Sequence, residues 1–299
     1  MNGEKIRKNL PVIKTIKTRL RIYWDLIKSP QTALLLLTGL AGYISAGITG
    51  ISGGYIMGIA GSLFLAISGS TILNMYFDRD IDSQMPRTCW RPLPTGKISP
   101  REALLLGLVF SIIGIAWAAA IDWLFASIIF AGVFFNVVVY TLWLKRRTAW
   151  SIVWGGLAGG MPVLAGRSLA LGHIDIIGLL LAAAILFWIP THILTFNMRY
   201  FDDYNKASLP TFASVYGFQT TRVIIAISSI AAALVMIIAS VGIGLTAGFL
   251  RLLIVLSSGL LLLALTSMFR PSERLNMGVF KYASLYMFGS MLMIIIEKL

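Results

Sequence analysis

Charge is scarce in this sequence. Only 12% of its 299 residues are Asp, Glu, Lys or Arg, against roughly 25% in an ordinary soluble domain. Hydrophobic residues make up 58%, more apolar surface than a soluble core of so short a chain could bury. Cysteine is nearly absent. Cys89 stands alone, so no internal disulfide can form, and one thiol says nothing firm about redox compartment. Acids are few as well, 12 against 25 Lys and Arg. The resulting net charge of +13 could suggest a nucleic-acid partner, but the placement of the bases argues against one. No apolar stretch with a small-residue cleavage site follows a short basic start, so the reading includes no removable signal peptide.

What the sequence has in quantity is long apolar runs. A membrane span needs roughly 20 such residues. Nine runs are read, near 32–50, 54–77, 103–121, 122–144, 150–170, 174–199, 222–244, 248–268 and 278–297. They are too long for strands and do not alternate. The third and fourth nearly touch at Asp122, which predicts a tight hairpin. The expected fold is all-α, with nine transmembrane helices around a central cavity. The expected organisation is a basic cytoplasmic arm over 1–30 and a transmembrane domain over 31–299, with no room for a separate soluble domain. Only Arg167, Arg251 and Lys298 fall on one side of these spans. Every other Lys and Arg falls on the side of the N-terminus. Basic residues mark the cytoplasmic face, so the N-terminus is expected inside and the C-terminus outside. The arm would lie near anionic headgroups of the lipid bilayer.

The acids collect on that same face. Asn74, Asp78 and Asp82 are spaced i, i+4, i+8, which lines one side of a helix, with Asp80 roughly opposite. Three oxygen-bearing side chains in a row suit a hard cation. Mg²⁺ prefers one or two carboxylates and fills its shell with water and phosphate oxygens. The plainer alternative is a solvated helix end with Asp78 and Asp82 paired to Arg79 or Arg87. Asp202 and Asp203 form a second acidic site. On an unbroken helix His192, Arg199 and Asp203 share a narrow arc with Phe196, and Pro190 is expected to kink the helix just before it. His192 reads either as a packing residue or as a ligand or proton-transfer group; His173 is given no role.

Arg87, Arg91, Lys145, Arg199 and Lys206 surround these acids in sequence. Such cations neutralise a diphosphate leaving group as a C–O bond breaks. The run from Gly155 to Gly160 lies inside a span and without strand-to-helix context, so it is not a phosphate loop. Close helix packing is the first reading for it and room for a ligand the second.

These stretches resemble the UbiA-type intramembrane prenyltransferase superfamily. The likeness is carried by Asn74 to Gly96, Tyr140 to Thr148, Trp154 to Pro162 and Pro190 to Ala207, which together run through spans two to six, a little under half the chain. Within the superfamily the likeness is greatest to the branch that farnesylates heme. It departs from that branch after the histidine, where Ile193 and Leu194 stand in place of aromatics. The resemblance implies a farnesyl diphosphate donor, protoheme IX as acceptor and Mg²⁺ as cofactor. Asn74, Asp78, Asp82, Asp202 and Asp203 would hold metal, with Asp78, Asp82, Asp203 and His192 catalytic. Arg87, Arg91, Lys145, Arg199 and Lys206 would bind diphosphate. The vinyl group of protoheme would attack the farnesyl cation, and water would complete the new side chain. Two alternatives remain: a prenyltransferase acting on a quinone precursor or an archaeal glycerol phosphate lipid, and an ion-coupled membrane transporter.

Overall fold

The computed structural model describes residues 12–48 and 52–299, with side chains from Thr18 onward. The expected arm over 1–30 therefore lies partly outside the described residues. The helices are α1 Val12–Leu26, α2 Ser29–Ile44, α3 Gly53–Phe77, α4 Arg79–Gln84, α5 Pro100–Ile121, α6 Trp123–Leu144, α7 Ser151–Leu171, α8 Ile176–Arg199, α9 Phe201–Lys206, α10 Phe212–Ile243, α11 Ala247–Phe269 and α12 Glu273–Lys298. No strand occurs among the described residues, and the all-α expectation holds.

Seven of these helices are long and apolar enough to cross a membrane: α3, α5, α6, α8, α10, α11 and α12. The other two expected spans are helical but fall short of that criterion. The first, α2, has only 16 residues. The second, α7, carries five glycines together with Pro162 and Arg167, which dilute its apolar character. Both nonetheless pack along the neighbouring helices. The start of α2 meets the end of α3 through Lys28 and Asn74. Its far end meets α7 through Ser45 and Arg167.

Local chemistry explains the ends. Asp122 terminates α5 and caps α6, its Oδ1 accepting from the Phe125 N–H at 2.7 Å; this is the tight hairpin expected there. Ser52, Ser99, Asp175, Thr211 and Ser272 cap α3, α5, α8, α10 and α12. Pro190 does not end α8, which stays helical to Arg199. The interruption comes at Tyr200 (φ −109°, ψ 33°), and α9 sets off from there.

Packing uses small residues where backbones approach, as membrane bundles must when lipid and core are equally apolar. A methyl added at Gly160 would lie 2.8 Å from the Ala182 carbonyl oxygen of α8. One at Gly166 would collide with the Gly39 carbonyl oxygen of α2. Close packing is thus the reading of the α7 glycines that the structure bears out. Tyr286, Met236, Leu181 and Leu260 fill the centre between α8, α10, α11 and α12.

The second half of α6, Phe135–Leu144, is π-helical. Its wider turns, closed by bonds to the residue five back, set Asn136, Tyr140 and Thr141 toward the interior. Such turns frequently accompany functional sites.

Candidate active site

The site begins where α3 ends. Asp78 is the joint between α3 and α4 (φ −91°, ψ 1°). Helical bonding continues across it, Asp78 N–H to Asn74 O at 3.0 Å and Asp82 N–H to Asp78 O at 2.8 Å. The i, i+4, i+8 register therefore survives the joint, and Asn74, Asp78 and Asp82 face one cavity. All three are buried. Asp80 points outward, as its register requires, and pairs with Arg146 at 2.7 Å. That hydrogen-bonded guanidinium outweighs partial burial and holds the Asp80 carboxyl below the usual carboxylate range.

The partners of this row differ from those the plainer alternative named. Asp82 takes the Arg91 guanidinium through both oxygens, at 2.9 and 2.8 Å. Asp78 Oδ2 takes Lys145 Nζ and the Asn74 amide at 3.0 Å. The Asn74 amide also donates to Thr141 Oγ1 at 2.9 Å, which leaves its carbonyl oxygen to accept from Lys28 Nζ at 3.1 Å. Neither Arg79 nor Arg87 pairs with these acids among the described residues. Arg87 lies instead among the rings of Phe196, Tyr200 and Tyr204, at 5.0, 5.5 and 5.0 Å from their centroids. It donates to the Tyr204 hydroxyl at 2.9 Å.

One cavity of about 240 Å³ gathers four cations, Lys28, Arg87, Arg91 and Lys145, and two carboxylates, Asp78 and Asp82. Its walls continue through Asn136, Tyr140, Ile193, Phe196 and Asn197. Burial acts against the Lys145 ammonium, but the Asp78 carboxylate more than offsets it and raises its pKa. Lys28 has no such partner. Burial, with the charges of Arg91 and Lys145, lowers it to about 7. Burial raises the Tyr204 phenol.

The residues fit a hard cation. Asp78 Oδ1 is buried with no hydrogen-bond partner, an arrangement costly for a carboxylate unless something else takes that oxygen. Asn74 and Asp82 place further oxygens on the same side.

The second acidic site does not join the cavity wall. Arg199 turns outward to Glu273 of α12. Asp202 and Lys206 are exposed and Asp203 is half-buried, and none of the four lines the cavity. The arc drawn for them required an unbroken helix. The break at Tyr200 re-aims the following turn and brings Tyr204 inward in their place. No group of three or more His, Cys, Asp and Glu gathers among the described residues. His192 faces α12. Its ring stacks between Trp188 and Phe280, at 4.9 and 4.4 Å, and Nδ1 lies 3.3 Å from Ser284 Oγ. This is the surrounding of a packing residue. From α8 the cavity receives Ile193, Phe196 and Asn197 instead.

Sequence reasoning missed Lys28, Asn136, Thr141, Tyr204 and Asn197. Lys28 was absorbed into the basic arm. The π-helical residues follow a period that a 3.6-residue template does not find.

The model of the UbiA prenyltransferase family matches residues 35–290 of the chain. A protoheme IX farnesyltransferase of Korarchaeum cryptofilum is 36% identical over 73% of this chain and 74% of its own. Among solved structures, a digeranylgeranylglyceryl phosphate synthase superposes with a TM-score of 0.78 at 17% identity, covering 94% of this chain and 99% of that one. A UbiA homolog from Archaeoglobus fulgidus bound to GPP and Mg²⁺ gives 0.65 at 21% identity, over 91% and 99%. These two likenesses show a shared fold.

Proposed function

The chain belongs to the UbiA prenyltransferase family, and from that premise we propose that it transfers a farnesyl group from farnesyl diphosphate to a vinyl group of protoheme IX. The relative at 36% identity supports the acceptor. The observation that carries the chemistry is the row Asn74, Asp78 and Asp82, buried in one cavity with four cations.

Asn74, Asp78 and Asp82 would hold Mg²⁺, which when bound neutralises diphosphate oxygens. The solved homolog with GPP and Mg²⁺ supports that ion. Arg87, Arg91 and Lys145 receive the diphosphate. As the C1–O bond breaks, the leaving group keeps the electron pair, and these fixed cations take up the growing negative charge. A preorganised donor of this kind is worth about 3–4 kcal/mol. The protoheme vinyl then forms the new C–C bond to farnesyl C1, and water adds to the resulting cation with release of a proton. The polar cavity is large enough for a headgroup and its ion, so the hydrocarbon of both substrates lies along the apolar helices outside it. Keeping bulk water from the allylic cation is what this placement achieves.

The protein is a multi-pass membrane protein. We place the cavity and the N-terminus on the cytoplasmic side and the C-terminus outside, from the distribution of Lys and Arg.

Purified protein given farnesyl diphosphate, Mg²⁺ and protoheme IX should yield protoheme heavier by a farnesyl and a hydroxyl group in the mass spectrum. Parallel reactions with a quinone precursor and a glycerol phosphate lipid should give no product. Product from either of those and none from protoheme would overturn the acceptor while keeping prenyl transfer.

A further inference from the structure

We propose that Lys28 is a diphosphate-binding residue that changes partner on loading, leaving the Asn74 carbonyl oxygen for a diphosphate oxygen. The proposal rests on the reading of the cavity as a prenyl diphosphate site. Three of the row's contacts are with cations, and they are not alike. Lys145 and Arg91 sit on carboxylates, Asp78 and Asp82. Lys28 sits on a neutral carboxamide, 3.1 Å away, and among the described residues no carboxylate forms an ion pair with it. An ammonium taken out of water onto a neutral oxygen has only the more distant carboxylates of Asp78 and Asp82, each already paired with another cation, to offset its burial, an unfavourable state that an arriving anion relieves.

The oxygen it covers is the one a cation needs. Both protons of the Asn74 amide nitrogen are committed, to Asp78 and to Thr141. Only Oδ1 is available to coordinate, and Lys28 takes one of its two lone pairs. Asn74, Asp78 and Asp82 would hold a cation whose charge repels the ammonium, and Lys28 would then turn to the diphosphate as its acceptor. The balance of charge agrees. Four cations against two carboxylates line the cavity, a surplus that disfavours a bare metal ion and favours a polyanion carrying one.

The backbone aims Lys28 at this task. It holds a left-handed conformation (φ 46°, ψ 58°), which costs a non-glycine residue about 1–2 kcal/mol. The elbow is fixed on both sides. Leu26 and Ile27 are buried against Ile72 and Met75, and the Thr32 hydroxyl donates to the Ile27 carbonyl at 2.6 Å. The chain between α1 and α2 thus delivers a charge to the end of α3.

The test is calorimetric titration of the purified protein with sodium diphosphate, with and without Mg²⁺, in wild type, Lys28→Met, Lys28→Arg and Lys28→Gly. Lys28→Met should bind Mg²⁺-diphosphate about tenfold or more weakly, with protoheme affinity, read from the Soret band, unchanged. Lys28→Arg should stay within about threefold of wild type. Lys28→Gly accepts the left-handed backbone without strain and should show the same loss as Lys28→Met. Diphosphate affinity unchanged in Lys28→Met, or kept in Lys28→Gly while lost in Lys28→Met, would overturn the proposal. A wild type that binds no diphosphate at all would instead remove the reading of the cavity on which it rests.

Discussion

Asp78 shows how one side chain serves both structure and chemistry. It is only 2% exposed. One oxygen is shared by Lys145 and Asn74, and the other has no partner. Removing one member of a buried ion pair leaves the other uncompensated, at about 3–5 kcal/mol. Asp78→Ala should therefore lower stability to denaturant by about that amount and reduce turnover by at least about 100-fold. The double variant Asp78→Asn with Lys145→Met removes both charges. It should recover most of the stability in the same titration and none of the turnover. Recovery of both together would mean that Asp78 acts only as a packing and charge partner. The Asn74, Asp78 and Asp82 row was legible because its spacing is a helical period that the joint at Asp78 preserves. Lys28 was not, because a lone lysine before a span reads the same whether it faces lipid headgroups or a cavity. His192 carried a chemical signal in sequence, yet the two aromatic rings that enclose it come from different helices, and only the fold brings Phe280 to it.

Elements decide which of the sequence's candidates reach the cavity. The break between α8 and α9 is the clearest case. Periodicity gave the arc of His192, Arg199 and Asp203, but the backbone of Tyr200 leaves the helical region and the arc ends there. Nothing in Arg199-Tyr200-Phe201 is a helix breaker, so the break belongs to tertiary packing: Phe201 lies against Phe218 of α10, and Arg87 contacts the rings of both Tyr200 and Tyr204. The glycines of α7, by contrast, stated their purpose in sequence. At Gly166 an added methyl would meet the Gly39 carbonyl of α2, which is backbone and cannot swing away. Gly166→Ala should cost about 3 kcal/mol through forced separation of α2 and α7, read as a fall in melting temperature. A wild-type melting temperature would show that the two helices do not approach as described.

Beside this contact, at the end away from the cavity, the same two helices are held by a second device. Arg167 is buried and donates to Ser45 of α2 and to both oxygens of Asp175 at the start of α8. Burial alone would raise the Asp175 carboxyl, but the Arg167 bonds and the Gly178 N–H outweigh it and leave it lowered. A group whose folded-state pKa is lowered adds stability above the ordinary carboxylate range, near 3.9, and loses it as pH falls through the folded value. Asp175→Asn should therefore reduce stability at neutral pH by at least about 2 kcal/mol. The difference from wild type should shrink on acidification below about pH 4. A gap that stays constant across that window would mean that the Asp175 charge contributes nothing.

For the whole molecule the open quantity is how the bundle sits in the bilayer. The two faces are chemically distinct. One carries the cavity and its cations; the other carries the enclosed Arg167–Asp175 pair and the Lys298 contact to the Gly244 carbonyl. The seven helices that meet the criteria for a span and the nine that would cross if α2 and α7 did so too are both odd numbers. Either count puts the two chain ends on opposite sides, whereas crossing by only one of α2 and α7 would put them on the same side. The chain contains its own reporter for the first face. Cys89 is the single cysteine, exposed in the loop between α4 and α5 that also carries Arg87 and Arg91. If basic residues mark the cytoplasmic side here as they do generally, a membrane-impermeant maleimide should label Cys89 in inverted vesicles and leave it unlabelled in intact cells. A reporter fused after Leu299 should be accessible only from outside. Labelling of Cys89 from outside intact cells would put the cavity face outside, and a C-terminal reporter on the same side as Cys89 would mean that α2 and α7 do not both cross. The second result bears on the chemistry too, because α2 carries Lys28 at its cavity end and Ser45 at the other, and α7 carries Ser151 and Arg167 in the same way. The cavity's proposed exposure to cytoplasmic diphosphate and the depth of both helices therefore depend on one measurement of sidedness.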